Sequence, residues 1–160
     1  APPRAMTSAR GTFLLVAAVA LACRPDRGGG ATAGDISIAH AVVPAPPSPS
    51  EASVFLSIDN LGLAADTLTA ARSPEADSVL LHEMVGNRMQ VAAVLPIPPG
   101  GPVRLAPGSY HLMLHGLTRR LAAGDTVTLE LHFARAGSAT VRAPVLRYTE
   151  AVEEVSSPHH

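Results

Sequence analysis

Cysteine occurs once in this 160-residue chain, at Cys23, and tryptophan not at all; there are two tyrosines and three phenylalanines. A lone cysteine cannot form an internal disulfide, so any folded domain must stand on its apolar core. It also excludes a blue-copper type electron-transfer centre, which needs a cysteine thiolate in the site, because Cys23 lies ahead of the expected domain. With so few aromatic rings to stack on bases, a net charge of −1 and no basic stripe, nucleic acid is excluded as a partner. No nucleophile stands with a base partner and no paired carboxylates flank a cleft, so the chain does not read as an enzyme. Long apolar runs are missing too, apart from TFLLVAAVALA at residues 12–22, which is too short to span a bilayer comfortably.

That run follows Arg4 and Arg10 and ends in Ala20-Leu21-Ala22-Cys23, the pattern of a signal peptide over residues 1–22. Ala20-Leu21-Ala22 fits ordinary signal peptidase cleavage, and a cysteine directly after small residues resembles a lipoprotein acylation site, so two outcomes are open: release after cleavage, or membrane attachment through a lipidated Cys23. Residues 23–34, including RPDRGGGATAG, are charged and glycine-rich and read as a flexible tether. The domain proper is expected over residues 35–148, a size that buries a core without staples. Residues 149–160, ending in His159 and His160, read as a polar disordered tail.

Within the domain the signals are those of short strands. Alternation or β-branched enrichment marks residues 36–42, 53–60, 66–71, 78–84, 89–94, 103–105, 109–117, 126–133 and 138–145. Proline-rich PAPPSPSEA at residues 44–52, Pro107-Gly108 and Ala123-Gly124-Asp125 punctuate them. Eight or nine strands at roughly ten-residue spacing, without a helical period, predict an all-β sandwich or Greek-key barrel.

One stretch, residues 79–117, holds three of the four methionines (Met84, Met89, Met113) and three of the seven histidines (His82, His111, His115). Side chains at i and i+2 share one face of a strand, so His82 joins Met84, and His111 joins Met113 and His115. Gly86-Asn87 suits a two-residue hairpin loop, which would pair Val85 with Arg88, Met84 with Met89 and Glu83 with Gln90. Glu83 then faces away from His82. Imidazole and thioether together are the donor set for monovalent copper where thiols would be oxidised. The bland alternative is that methionine on a strand is most often core filler. His40 and His132 read as surface or satisfied residues.

Met89, the twenty-one residues 90–110 and then His111-Leu112-Met113 match the ligand motif of the periplasmic copper chaperone family called PCuAC, and the chain resembles that family in order through ASVFLSIDN, LHEM, PIPPGG, LAPGSYHLMLHGL and LAAGDTVTLELHF. The likeness covers residues 35–145. It implies a cupredoxin-like barrel that binds one Cu(I) through His82, Met84, Met89, His111 and Met113 in the periplasm or cell envelope; a monomer is the expected form. It also implies delivery of the ion to the CuA site of cytochrome c oxidase, through an oxidase subunit or an assembly factor. Two departures stand out. Six residues rather than about ten separate His82 from Met89, leaving Met84, Met89 or both to fill the sulfur position. His115 also stands where the family often has a further Met, which would shift the site toward Cu(II). A copper store and a metal-free structural sandwich are the competing readings.

Overall fold

The computed structural model describes residues 27–157, so the expected signal peptide, Cys23, His159 and His160 lie outside the described residues. Eleven strands and one helix are present among them. They run β1 (Gly29–Ala33), β2 (Ile36–Pro44), β3 (Glu51–Asn60), β4 (Asp66–Arg72), β5 (Ala76–Val85), β6 (Arg88–Val91), β7 (Leu95–Ile97), β8 (Pro102–Leu105), β9 (His111–Leu117), β10 (Thr126–Phe133), β11 (Gly137–Leu146) and α1 (Tyr148–Ser156). All nine predicted strands form, and the architecture is the expected cupredoxin-like barrel.

Seven of them close the barrel in the order β2-β11-β10-β4-β5-β9-β3, with β3 returning to pair with β2. Every pairing is antiparallel except β2 with β11. Closure removes the long open edges that would invite other chains. Alternation decides what faces in: Val127, Leu129, Leu131 and Phe133 of β10 and Ala139, Val141, Ala143 and Val145 of β11 are all buried, while Thr128, Glu130, His132, Thr140, Arg142 and Pro144 between them are at least partly exposed. β3 changes partner midway. Its first half, Glu51 to Val54, pairs with β9, and its second half, Leu56 to Asp59, pairs with β8. That switch sets β9 squarely between β3 and β5, where the histidines and methionines of the sequence sit.

Three segments depart from expectation. The glycine-rich stretch read as tether forms β1, which zips onto β2 through Ala31–Ile38, Thr32–Ser37 and Ala33–Ile36. Its glycines serve close approach rather than flexibility, because a side chain at Gly29 would run into the carbonyl oxygen of Arg142. The tail read as disordered forms α1, whose Ala151 and Val155, one turn apart, are buried against Val42 and Phe55. Glu150 holds its start, accepting the Arg147 backbone N–H at 3.3 Å and the guanidinium at 2.6 Å, and Glu154 reaches Nδ1 of His40 at 3.0 Å. Finally, β7 pairs with β4 and buries Leu95 and Ile97 around an outward Pro96. Three residues with a central proline are too short a run to announce a strand.

Candidate metal centre

The hairpin of β5 and β6 has the register its loop dictates. Val85 pairs with Arg88, Met84 with Met89, Glu83 with Gln90 and His82 with Val91. Gly86 alone supplies the positive φ, at 60°, the arrangement of a type II′ turn with glycine first. On its other side β5 pairs with β9, and here His82 meets His111, Leu80 meets Met113 and Ser78 meets His115. β9 in turn pairs with β3, setting Ser53 beside Met113 and Glu51 beside His115. One face of three neighbouring strands therefore carries His82, Met84, His111, Met113, His115, Ser53 and Glu51. The residues between them, Leu112 and Leu114 of β9 and Ala52 of β3, are buried in the core. The face is the outside of the barrel.

His82 is the centre of this cluster. Its ring lies 5.5 Å from that of His111, edge-on at 83°, and 5.7 Å from that of His115 at 55°. His82 and His111 are each less than a tenth exposed. Burial, then the nearby His111 and His115 rings, lower the His82 pKa below 6.5, with Glu51 pulling weakly the other way. The imidazole is thus neutral at neutral pH and has a lone pair to offer. His82 Nδ1 is buried and has no hydrogen-bond partner. His111 sets its Nδ1 at 3.4 Å from the Ser109 carbonyl, an acceptor, which turns Nε2 into its free acceptor atom. Met113 sits between His111 and His115 along β9, its sulfur 3.9 Å from the Ser53 hydroxyl. Glu83 faces the other way, accepting from Gln90 at 2.8 Å and from Tyr110, whose pKa it raises.

The structure therefore brings His82, His111, Met113 and His115 together and places Met84 and Met89 toward the hairpin turn. The shortened hairpin is the cause. Directly across β6 from His82 stands Val91, and Met89 lies two residues nearer the turn, roughly 7 Å along the strand. Met84 is half-buried and Met89 is 53% exposed. Neither Met89 nor Met113 points into the barrel, as core filler would. Among the described residues no three His, Cys, Asp or Glu side chains are placed to hold a metal by themselves. The further soft donors this face offers are the methionine thioethers. Sequence reasoning missed Glu51, because residues 44–52 read as one proline-rich loop, and Ser53, because the β3–β9 register is not encoded locally.

A sheet of this topology with imidazole and thioether gathered on its outer face defines a PCuAC-type domain. The fold matches the copper-bound PCuAC domain from PmoF2, 25% identical with a TM-score of 0.66, over 74% of this chain and 97% of that one. The apo PCuAC domain from PmoF1 matches at 25% identity and TM-score 0.68, over 74% and 98%. CuI-DR1885 from Deinococcus radiodurans matches at 26% and 0.59, over 72% and 79%. Residues 36–145 match the family described as "Putative lipoprotein LpqE-like", and the chain belongs to that family. It is also 35% identical over 104 residues to "Putative lipoprotein Lxx21020" of Leifsonia xyli subsp. xyli. That match spans 62% of this chain and 63% of the relative's length.

Proposed function

We propose that this domain is a copper(I) carrier of the cell envelope, holding one ion with His82, His111 and Met113 and, from the hairpin end, a thioether of Met84 or Met89. The observation that carries the reading is the pairing of His82 with His111 across β5 and β9, with an unpartnered His82 nitrogen, beside the Met113 thioether on the barrel's outer face. Copper-bound relatives of the same fold support it. Thioethers have no proton to lose and cannot form disulfides, so the donor set suits an oxidising compartment.

An ion held on an outer face by neutral donors can leave by stepwise substitution, each imidazole or thioether yielding to a thiolate of an acceptor. That chemistry fits a carrier rather than a catalyst. The resemblance to PCuAC domains supports a cytochrome c oxidase CuA site or its assembly factor as the acceptor. The lipoprotein names of the family and its relative support envelope attachment through acylated Cys23. Anaerobic titration with copper(I) against a chromophoric chelator tests the site. Wild type should bind one ion per chain, and the double variant His111→Ala with Met113→Ala should lose about a hundredfold or more of the affinity, two good ligands being gone. Equal binding by wild type and variant refutes the assignment.

A further inference from the structure

Ahead of β1 the chain is fastened down. The backbone N–H groups of Arg27 and Gly28 donate to the carboxylate of Glu154 on α1, whose Oε1 also lies 3.0 Å from Nδ1 of His40 on β2. Glu154 thus ties together α1, β2 and the entry of the chain, and its side chain is only 11% exposed. Hydrogen bonds to a sheltered carboxylate are the strong kind. The pairing of Arg27 with Glu150, 3.7 Å apart with the arginine exposed, adds little. Gly28 lies so near β2 that a β-carbon there would sit 2.6 Å from the Cα of His40, and from Ala31 to Ala33 the segment is zipped onto β2.

In the sequence only Arg24, Pro25 and Asp26 stand between Cys23 and Arg27. Four Cα steps reach about 14 Å at full extension, whereas a domain of this size is roughly 35 Å across. A surface that holds Cys23 therefore lies beside the flank where Arg27 meets α1, and β4, across the barrel from β2, points away from it. The footing of α1, Val42 and Phe55, is a cross-strand pair. Phe55 follows Val54, whose partner is Leu112, and His111 precedes Leu112 on β9. The histidine cluster thus begins one strand beyond that footing, about 5 Å around the barrel.

We propose that residues 27–33, pinned by Glu154, are a strap that seats the barrel on a lipid bilayer with α1 toward the membrane, so that the histidine-and-methionine face looks sideways, toward partners fixed in the same membrane. The proposal rests on the reading of Cys23 as the point of lipid attachment and uses nothing about copper. Charge does not do the seating. Around the exit Arg27 and Arg147 stand against Glu150 and Glu153, with no basic patch for anionic headgroups. The orientation should therefore be the same on neutral and anionic lipid.

The chain from Cys23 onward, which keeps every described residue, tests this when the Cys23 thiol is coupled to a maleimide phospholipid in phosphatidylcholine vesicles. A ketone-bearing residue carries a donor dye at Glu153 of α1 in one chain and at Arg72 of β4 in another, both exposed positions. Energy transfer to an acceptor dye on the lipid headgroups is read from donor lifetimes. Transfer from position 153 should exceed that from position 72 about twofold or more, and adding phosphatidylglycerol should leave the ratio unchanged. A Gly-Ser insert of about ten residues between Asp26 and Arg27 should bring the ratio close to one, since such a linker is a flexible coil. Glu154→Ala should lower it. Thermal melts establish that each variant is folded. Equal transfer from both positions in the parent, or a ratio that either variant leaves unchanged, overturns the proposal. Mass spectrometry of Cys23 from a host that processes lipoproteins separates the two readings. An unacylated Cys23 together with the expected ratio on vesicles removes the attachment reading and leaves the strap's geometry standing; an acylated Cys23 with equal transfer removes the strap alone.

Discussion

Met113 is the residue where binding and packing separate most cleanly. It is half-buried on the outer face, flanked by His111 and His115, with its sulfur near Ser53. Leucine keeps its volume and removes only the sulfur, so Met113→Leu should change stability by less than about 1.5 kcal/mol. The same substitution should weaken copper(I) binding by about tenfold or more. Denaturant unfolding and chelator competition on one preparation check both halves. An unchanged copper(I) affinity would make Met113 a packing residue. Asp66 shows the opposite case, a charged group kept for the fold. It is buried, and its carboxylate accepts backbone N–H bonds from Thr67 at 2.7 Å, Arg135 at 2.9 Å and Ala136 at 2.9 Å. Burial pushes its pKa up, but the three N–H groups and the Arg135 charge outweigh this and hold it below 3.8. A carboxyl with a lowered folded pKa stabilises the fold above its unfolded value and loses that contribution as pH falls through the folded value. Asp66→Asn should therefore cost about 2 kcal/mol at neutral pH, the range for hydrogen bonds to a charged group, and the gap to wild type should narrow below about pH 4. Denaturant midpoints measured from pH 7 to pH 2 decide it, a constant gap being the contrary result.

At the level of elements, α1 carries the sharpest consequence. Residues 149–160 look like a solvated acidic tail, yet two apolar side chains one turn apart are enough to cover Val42 and Phe55. Ending the chain after Arg147 should expose both and lower stability by about 2–4 kcal/mol, read as a fall in the denaturant midpoint. A disordered tail would leave that midpoint where it was. Strands with strict alternation, such as β10 and β11, were legible because period two puts four apolar residues of each on one side. The β5–β6 hairpin was legible to the residue, since a Gly-Asn loop leaves no freedom in the pairs that follow it. β1, β7 and α1 were hidden for a common reason: each is stabilised by a distant surface rather than by its own pattern. Gly29 is small because Arg142 is close, and nothing in residues 24–34 announces Arg142.

For the whole molecule, the barrel serves as a rigid frame whose core uses none of the candidate ligands. Which ligands share a strand was readable from spacing. Which strands are neighbours was not, and the closure that sets β9 between β3 and β5 is what joins His82 to His111 and Glu51 to His115. The metal question thus turns on three strands from distant parts of the chain meeting at one outer patch. X-ray absorption at the copper edge of the anaerobically loaded chain tests this most directly. The predicted spectrum is cuprous, with sulfur and two imidazole nitrogens bound to one ion; a copper shell of nitrogen and oxygen alone, or a chain that emerges from gel filtration without copper, contradicts it.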